Sequence, residues 1–306
     1  MDISFNKSDI LFITADNNYV NRGLIASGYQ VELPYRYKTI FGRIMLEIAV
    51  KLRLPHKILF NRNILQFEGK YIIVFDGIIT KQFLLWLKKI HPDKKIIFEY
   101  TNLVGKARHL LPNNIPSGIK ICTYDANDSK KYNLYLIRCG GYCPSFIGKK
   151  RDKEYDIVFV GRDKGRAEYI FDLENQFKDM GLKTKFLVMP STRLNKKKKG
   201  FSKVIEYEEV IDLVTKSKSI LNITLPNQVG ATMRDYESIY NEVKLITTNT
   251  NIVNFDFYNK NNIFILGIDD LNKLKEFVAS SYEHLPKELL NKYLIDSQVN
   301  EIIQNI

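Results

Sequence analysis

The residues best suited to chemistry lie within Ser219–Tyr258, which reads as strand, polar turn, helix and strand. Thr232 opens the helix directly after the loop Leu225–Gly230, and such a helix start presents backbone N–H groups and a positive dipole end to an anion. Arg234 could add a guanidinium to a bound phosphate, and Glu237 could accept hydrogen bonds from two ribose hydroxyls. The pattern therefore indicates a sugar-nucleotide site. The alternative is a capped amphipathic helix with solvated charges.

A second loop with phosphate-binding character follows the predicted strand Tyr155–Val160. It reads Gly161-Arg162-Asp163-Lys164-Gly165-Arg166 and precedes a predicted helix. Two glycines and three basic residues at a strand-to-helix turn suit close approach of the backbone to a diphosphate. The loop lacks the full dinucleotide fingerprint and the ending of a P-loop. A tight turn with solvated charges is therefore the alternative.

Both loops must be positioned by the strands and helices around them. Along the chain, apolar runs alternate with helical patterns, and this alternation predicts mostly parallel sheets covered by helices. It lapses between Cys139 and Glu154, where a Gly/Pro segment and a charge run are typical of a linker. We predict an α/β fold of two Rossmann-like domains facing a cleft, over residues 1–148 and 149–285. Residues 286–306 are predicted as a C-terminal helix that packs back on the first domain. Ligands of parallel sheets bind beyond the carboxyl ends of the strands, so the cleft is the expected site.

The periodicity of apolar residues predicts the individual elements. Strands are predicted over Asp9–Thr14, Tyr71–Phe75, Lys95–Phe98, Ile119–Thr123, Leu134–Ile137, Tyr155–Val160, Thr184–Val188, Ser219–Thr224, Val243–Thr247 and Ile263–Leu266. Helices are predicted over Phe41–Leu52, Lys81–Lys89, Ala167–Met180, Tyr207–Lys216 and Asp270–Tyr282, besides the one that Thr232 opens.

The composition is that of a globular protein long enough for two domains, with 306 residues of which 45% are hydrophobic. No stretch reaches the roughly 18 apolar residues that span a bilayer. The N-terminus is polar, so we expect a cytoplasmic protein. Cys122, Cys139 and Cys143 are odd in number and lack the spacing of a zinc site, so we expect free thiols and no metal.

The net charge of +12 indicates an anionic partner. Signatures of helix-turn-helix, RNP and zinc-finger motifs are lacking, so nucleic acid is not expected. Arg193 and the run Lys196–Lys199 are basic enough to be drawn to acidic lipid headgroups, with a solvated loop as the alternative. An anionic membrane surface is therefore a candidate partner.

Several motifs together resemble a known family. They are YDIVFVGRDKGR (155–166), NQVGATMRDYES (227–238), KLITTN (244–249), NFDFYNKNNIFIL (254–266) and, in the first domain, TYDANDSKKYNLYLI (123–137). This combination is similar to bacterial GT-B glycosyltransferases that build lipopolysaccharide core and capsular polysaccharide. Within that family, it looks most like the type that attaches rhamnose near the Kdo region.

The resemblance implies an acceptor-binding first domain and a second domain that binds a nucleotide-sugar donor without a metal or other cofactor. It implies that Gly161, Arg162 and Arg166 approach the donor diphosphate, that Gln228, Gly230, Thr232 and Arg234 surround it, and that Glu237 holds the ribose. Lys164 joins the donor-binding residues because its loop is basic.

Glycosyl transfer with inversion also needs a general base near the acceptor hydroxyl. Asp16 and Asp125 follow predicted strands of the first domain and are the catalytic candidates, with Asp76 and Glu99 behind them. An Asx turn or a helix cap is the alternative for each of these carboxylates.

The leading hypothesis is a glycosyltransferase at the inner face of the inner membrane. It would move a sugar from a nucleotide donor to a lipid-linked oligosaccharide or lipopolysaccharide core acceptor. A non-catalytic relative that binds glycan or nucleic acid is the alternative from another class. An epimerase or phosphorylase is a second enzymatic alternative.

Overall fold

The chain divides into two compact units in a computed structural model. One unit comprises Met1–Cys143 with Leu294–Ile306, and the other comprises Pro144–Tyr293. The structure describes residues 5–14, 19–36, 40–52, 54, 56–105, 110–138, 140–192 and 200–305, excepting the side chains of residues 40, 41, 43, 50 and 51.

The first unit is built on a six-stranded parallel sheet with the order β2-β1-β3-β4-β5-β6. Its elements begin with β1 (Ile10–Ile13), α1 (Tyr19–Ala26), β2 (Gln30–Glu32), α2 (Ile40–Lys51), β3 (Tyr71–Phe75) and α3 (Lys81–Ile90). They continue with β4 (Lys95–Tyr100), β5 (Lys120–Thr123), α4 (Ala126–Tyr132) and β6 (Tyr135–Leu136). The strand order changes direction between β1 and β3, which makes that point the topological switch of the sheet.

Helix α3 illustrates how the sequence builds this unit. Thr80 caps the helix, since its side chain accepts a hydrogen bond from the Phe83 N–H group. Phe83, Leu84 and Leu87 share one face and are completely buried in the core that also contains Val74 of β3. Burial of this face fixes the helix against the sheet.

The second unit has a five-stranded sheet with the order β11-β10-β9-β7-β8, and its neighbouring strands are also parallel. Its elements begin with β7 (Tyr155–Arg162), α5 (Ala167–Asp179), β8 (Thr184–Met189), α6 (Tyr207–Thr215) and β9 (Ser217–Asn222). They continue with α7 (Met233–Tyr240), β10 (Lys244–Thr247), β11 (Ile263–Ile265), α8 (Leu274–Ala279) and α9 (Lys287–Asn291). The switch point of this sheet lies between β7 and β9.

The last helix, α10 (Ile295–Asn305), belongs to the first unit. Ile295 and Val299 are buried on its inner side. Asp296 accepts hydrogen bonds from the Tyr29 hydroxyl at 2.6 Å and from Lys7 Nζ at 2.7 Å. The chain therefore returns to its first unit after completing the second.

The predicted fold class, two Rossmann-like α/β units with parallel sheets, is confirmed. The prediction of one helix over Asp270–Tyr282 is wrong, because a 3-10 turn leads into α8, which ends at Ala279. Beyond α8, the Asn262 side chain donates to the Glu283 carbonyl oxygen and accepts from the Glu283 N–H group. These side-chain bonds satisfy the backbone of Glu283 outside a helix.

Among the described residues, none of the helices combines the length and the apolar character that crossing a membrane requires. Cys122 and Cys143 are buried free thiols, as expected. Cys139, Asp16, Arg193 and the run Lys196–Lys199 lie outside the described residues.

Candidate functional site

The switch point of the second sheet places two loops side by side. β7 ends at Arg162 and β9 ends at Asn222, and the two strands run parallel as neighbours. From β7 the chain crosses to β8 on one side, and from β9 it crosses to β10 on the other. Connections that leave in opposite directions open a crevice at the carboxyl ends of the two strands, where ligands of such sheets bind.

Arg166 bridges the two loops at this switch point. Its Nη1 donates hydrogen bonds to the carbonyl oxygens of Ile223 and, at 3.0 Å, of Thr224. Its Nε donates to the Asp163 carbonyl oxygen at 3.3 Å. Burial lowers the pKa of the Arg166 guanidinium. Because an arginine side chain is not deprotonated in proteins, the group is nevertheless a cation at neutral pH. The loops after β7 and β9 are thus held around one positive charge.

A cavity of about 500 Å³ opens beside Arg166. Its walls come from the first turn of α5 and from the loops after β7, β9 and β10, and they include Arg166, Tyr169, Thr224, Gln228, Thr248 and Asn249. The Thr224 N–H group donates to Thr248 Oγ1 at 3.0 Å, which ties two of these loops together. A volume of this size, lined by hydroxyl, amide and apolar groups, suits a small-molecule ligand.

The loop after β7 is held in a tight turn beside β8. The Lys164 N–H group donates to Ser191 Oγ at 2.9 Å, and the buried Asp163 carboxylate accepts from the Gly165 N–H group at 3.3 Å. Gly165 has a φ of +81°, and a Cβ there would meet nothing within 4 Å. Glycine is needed for the left-handed backbone, and the space beside it is open. Arg162 Nη1 donates to the Pro190 carbonyl oxygen at 3.2 Å.

The first turn of α7 is capped by its own side chains. Thr232 Oγ1 accepts from the Arg234 N–H group at 3.3 Å, and Asp235 Oδ2 accepts from the Thr232 N–H group at 2.6 Å. Asp235 Oδ1 also accepts from Asn222 Nδ2 at 2.8 Å. Burial raises the pKa of Asp235 to about 6. This capping box engages N–H groups of the helix start that was predicted to bind a phosphate.

Arg234 and Glu237 pair with each other on α7. Glu237 is completely buried, its Oε2 contacts Arg234 Nη1, and its Oε1 accepts from the Tyr207 hydroxyl at 2.8 Å. Arg234 Nη2 donates to the Val160 carbonyl oxygen at 2.6 Å, so this side chain ties α7 to the end of β7. A ribose would reach the Glu237 carboxylate only if Arg234 or Tyr207 exchanged its partner.

Two of the carboxylates singled out in the first unit lie at strand ends and make local hydrogen bonds. Asp125 is completely buried and caps α4, because Oδ1 accepts from the N–H groups of Asn127 at 3.0 Å and Asp128 at 3.2 Å. Asp76, after β3, accepts from the Thr101 N–H group at 3.1 Å. Asp16, the other catalytic candidate, lies outside the described residues.

Glu99, near the end of β4, has a raised pKa and differs from Asp76 and Asp125 in its hydrogen bonding. It is 4% exposed, and Gln298 of α10 donates to its Oε1 at 2.5 Å, while Oε2 has no hydrogen-bond partner among the described residues. Burial raises the pKa of Glu99 to about 8, with Gln298 lowering and Asp76 raising it. Glu99 is therefore mostly protonated at neutral pH.

Two of the predicted donor-binding residues, Arg166 and Gln228, line the cavity. The other predicted residues are not among its described lining, and they are Gly161, Arg162, Lys164, Gly230, Thr232, Arg234 and Glu237. Gly161 packs on the Phe159 ring, which a Cβ would approach to 3.2 Å. The structure thus brings the loop after β7 and the loop after β9 together. It leaves Arg234 and Glu237 paired with each other.

Sequence reasoning missed the residues that hold this region in place. Thr232 and Asp235 are three residues apart, which is the spacing of a capping box, so this signal was present in the sequence. Thr248 and Asn249 directly follow β10, and the rule that ligands bind at carboxyl strand ends could have identified them. No local signal pointed to Tyr207, because it lies 30 residues before Glu237 in the chain.

Solved structures of glycosyltransferases are similar to the chain. AviGT4, a glycosyltransferase involved in avilamycin A biosynthesis, matches with a TM-score of 0.57 and 10% identity over 96% of each chain. A glycosyltransferase from Rickettsia africae matches with a TM-score of 0.50 and 10% identity, again over 96% of each chain. No protein-family model and no curated protein matches the sequence. The likeness shows the fold, two Rossmann-like units as in GT-B glycosyltransferases.

Proposed function

We propose that the protein is a glycosyltransferase that binds a nucleotide-sugar donor at the carboxyl edge of the second unit's sheet. The observation that carries the proposal is Arg166, a half-buried cation that spans the switch point beside a cavity of about 500 Å³. Its support is the fold shared with glycosyltransferases of known structure. Together they favour a ligand that carries both a diphosphate and a nucleoside.

In this proposal the basic residues of the loop after β7 stabilise the departing nucleoside diphosphate. Negative charge grows on the diphosphate as the glycosidic bond breaks, and fixed cations aimed at that charge lower the barrier. Arg162, Lys164 and Arg166 supply the cations, while Gly161 and Gly165 allow the backbone to come close. Gln228 lines the cavity, and in this proposal its side-chain amide donates to the ligand.

The roles of the α7 residues remain part of the proposal. Gly230 and Thr232 lead from the cavity wall into the helix, and Arg234 and Glu237 follow in its first turns. Donor binding that drew Arg234 towards the diphosphate would free one Glu237 oxygen for the ribose hydroxyls. The Arg234–Glu237 ion pair would then belong to the protein without donor, and the contact of Arg234 with the diphosphate to the protein with donor bound.

The acceptor and the pathway are finer parts of the proposal and rest on the sequence resemblance. We propose residues 1–148 as acceptor-binding, residues 149–285 as donor-binding, and a lipid-linked oligosaccharide or lipopolysaccharide core as acceptor, with rhamnose as the sugar. Asp16 and Asp125 are the proposed catalytic bases. For Asp125 to act, its carboxylate must give up the cap of α4.

A non-catalytic relative of the same fold is the second candidate. The engagement of Asp125 and Glu237 by other protein groups favours it, because both carboxylates are completely buried. Such a protein would bind its ligand and release no nucleotide.

The test is release of nucleoside diphosphate from a panel of nucleotide sugars, with and without a lipid-linked glycan acceptor. We expect one donor to be turned over and Arg166→Gln to reduce the rate at least about tenfold, from the loss of one charged contact. Lys178→Gln is the matched control, since it removes an exposed cation of the helix that Arg166 caps. Binding of a nucleotide sugar without any release would favour the second candidate, and an unchanged rate in Arg166→Gln would contradict the site.

A further inference from the structure

Exposed aliphatic side chains are concentrated on and after helix α2 of the first unit. Among the described residues, 16 large hydrophobic side chains are exposed, and six of them fall between positions 44 and 58. They are Ile44, Met45, Ile48, Leu52, Leu54 and Ile58, with exposed fractions from 43% to 88%. Single exposed apolar residues are ordinary, but a concentration of this kind marks a contact surface.

The spacing of four of these residues puts them on one side of the helix. Ile44, Ile48 and Leu52 are four residues apart, and Met45 is three residues before Ile48, so they form a continuous aliphatic stripe. Leu46 is 1% exposed and packs in the core of the unit. A surface helix usually presents charged and polar residues to the solvent. The exposed side chains that the structure describes on this helix are aliphatic instead.

The same stretch of chain is strongly basic. Residues 33–63 contain seven lysines and arginines and one acidic residue, Glu47, so a tenth of the chain carries half of the net charge of +12. The basic residues are Arg36, Lys38, Arg43, Lys51, Arg53, Lys57 and Arg62. Lys57 and Arg62 are exposed. Basic residues close to an anionic bilayer are attracted to its headgroups.

We infer that this surface, the aliphatic stripe together with Leu54 and Ile58, docks on an anionic lipid bilayer. The stripe enters the boundary between headgroups and acyl chains, and the exposed Lys57 and Arg62 lie among the phosphates. A second copy of the chain is a poorer occupant, because it would bring two positively charged segments face to face. Nucleic acid would match the charge and would leave the aliphatic side chains in water. The inference does not depend on the donor site of the second unit.

Sedimentation of the full chain with lipid vesicles tests the inference. We expect binding to vesicles of phosphatidylcholine with phosphatidylglycerol, weak binding to phosphatidylcholine alone, and release from the anionic vesicles as salt is added. The double variant Ile48→Gln/Leu52→Gln should bind at least about tenfold more weakly, because it removes aliphatic groups that enter the bilayer. Since both side chains are exposed, its urea unfolding midpoint should equal that of the native protein.

Ile268→Gln is the matched control, because Ile268 is an aliphatic residue of the second unit with an exposed fraction of 68%. This control should bind vesicles as the native protein does. Equal vesicle binding by the double variant and the native protein would overturn the inference. So would a dimer of the native protein that the double variant abolishes, or binding of duplex DNA in preference to anionic vesicles.

Discussion

Glu237 is a tightly held carboxylate of the second unit. It is completely buried and is held between the Arg234 guanidinium and the Tyr207 hydroxyl. Removing one partner of a buried ion pair leaves the other charge without compensation, which costs more than the pair itself contributes. Arg234 is 21% exposed in its side chain, so water partly moderates that cost. The Arg234–Glu237 ion pair therefore stabilises the folded protein, whether or not these residues also bind a ligand.

We predict that Glu237→Gln lowers the free energy of unfolding by about 2 kcal/mol, because the Tyr207 hydrogen bond survives while Arg234 loses its counter-charge. Urea unfolding followed by circular dichroism measures the change. Glu68→Gln, at an exposed loop carboxylate, should leave the midpoint unchanged. An unchanged midpoint in Glu237→Gln would mean that the ion pair does not form.

Glu99 gives a pH dependence with a definite sign. Burial raises its pKa from 4.5 to about 8, so between these values the folded state holds a proton that the unfolded state has lost. Stability attributable to Glu99 is therefore greatest at low pH and falls as pH rises towards 8. Asp235, whose pKa is raised to about 6, acts in the same direction over a lower range.

We predict that Glu99→Gln reduces the loss of stability between pH 6 and pH 8, where Asp235 no longer contributes. The difference between the native protein and the variant should amount to about 2 kcal/mol over this range. Urea unfolding at the two pH values measures it. An equal loss of stability in both proteins would show that Glu99 does not carry the buried proton.

Helix α7 shows how one element can serve both the fold and a ligand. Its first turn is closed by Thr232 and Asp235, and Asn222 at the end of β9 supports Asp235. The cap sets the direction of the helix relative to the cavity wall formed by the preceding loop. A phosphate bound there would share the helix dipole with a protein carboxylate.

We predict that Thr232→Ala lowers the free energy of unfolding by about 1 kcal/mol, the usual contribution of an N-cap hydroxyl. Thr232→Ser keeps the hydroxyl and should differ from the native protein by only a few tenths of that amount. Urea unfolding compares the two variants. A larger effect of serine than of alanine would contradict the capping role.

At the level of elements, the sequence predicted the long apolar strands and the helices with a continuous apolar face. β3 and α3 are such cases, because Tyr71–Phe75 is an uninterrupted apolar run and α3 carries three buried residues on one face. α1, β2 and α4 were not predicted. β2 has three residues and no fully buried side chain, so its pairing with β1 decides its conformation more than its own pattern does.

The loops of the candidate site could be predicted from the sequence, whereas the side-chain contacts within the site could not. The glycines and basic residues at the end of β7 identified that loop, and Arg166 does lie in the cavity wall. The pairing of Arg234 with Glu237 could also be anticipated from their spacing of three residues on a helix. Which oxygen each side chain finds depends on Tyr207 and Val160, which the fold brings from distant parts of the chain.

At the level of the whole molecule, the first unit depends on the last residues of the chain. Ile295, Val299 and Ile302 of α10 are buried, and Gln298 reaches Glu99 in the middle of the first sheet. Asp296 adds the hydrogen bond with Tyr29. Folding of this unit is therefore completed only after the second unit has been synthesised.

We predict that a protein ending at Tyr293 melts at a lower temperature than the full chain, because removal of α10 takes away its buried residues and the hydrogen bonds that join Gln298 to Glu99 and Asp296 to Tyr29. Differential scanning calorimetry measures this loss. A shorter truncation that removes only Asn305 and Ile306 is the control and should melt as the full chain does, because Asn305 is exposed. An unchanged melting temperature in the longer truncation would contradict the assignment of α10 to the first unit.

The most direct test of the donor site is calorimetric titration of the full chain with the common nucleoside diphosphates and the corresponding nucleosides. We predict that one diphosphate binds and that its nucleoside binds far more weakly, because the nucleoside lacks the charge that Arg166 attracts. Gln228→Ala should weaken binding of the diphosphate about tenfold. Absence of binding by every nucleotide, or an affinity for the diphosphate that Gln228→Ala and Arg166→Gln leave unchanged, would contradict the donor site.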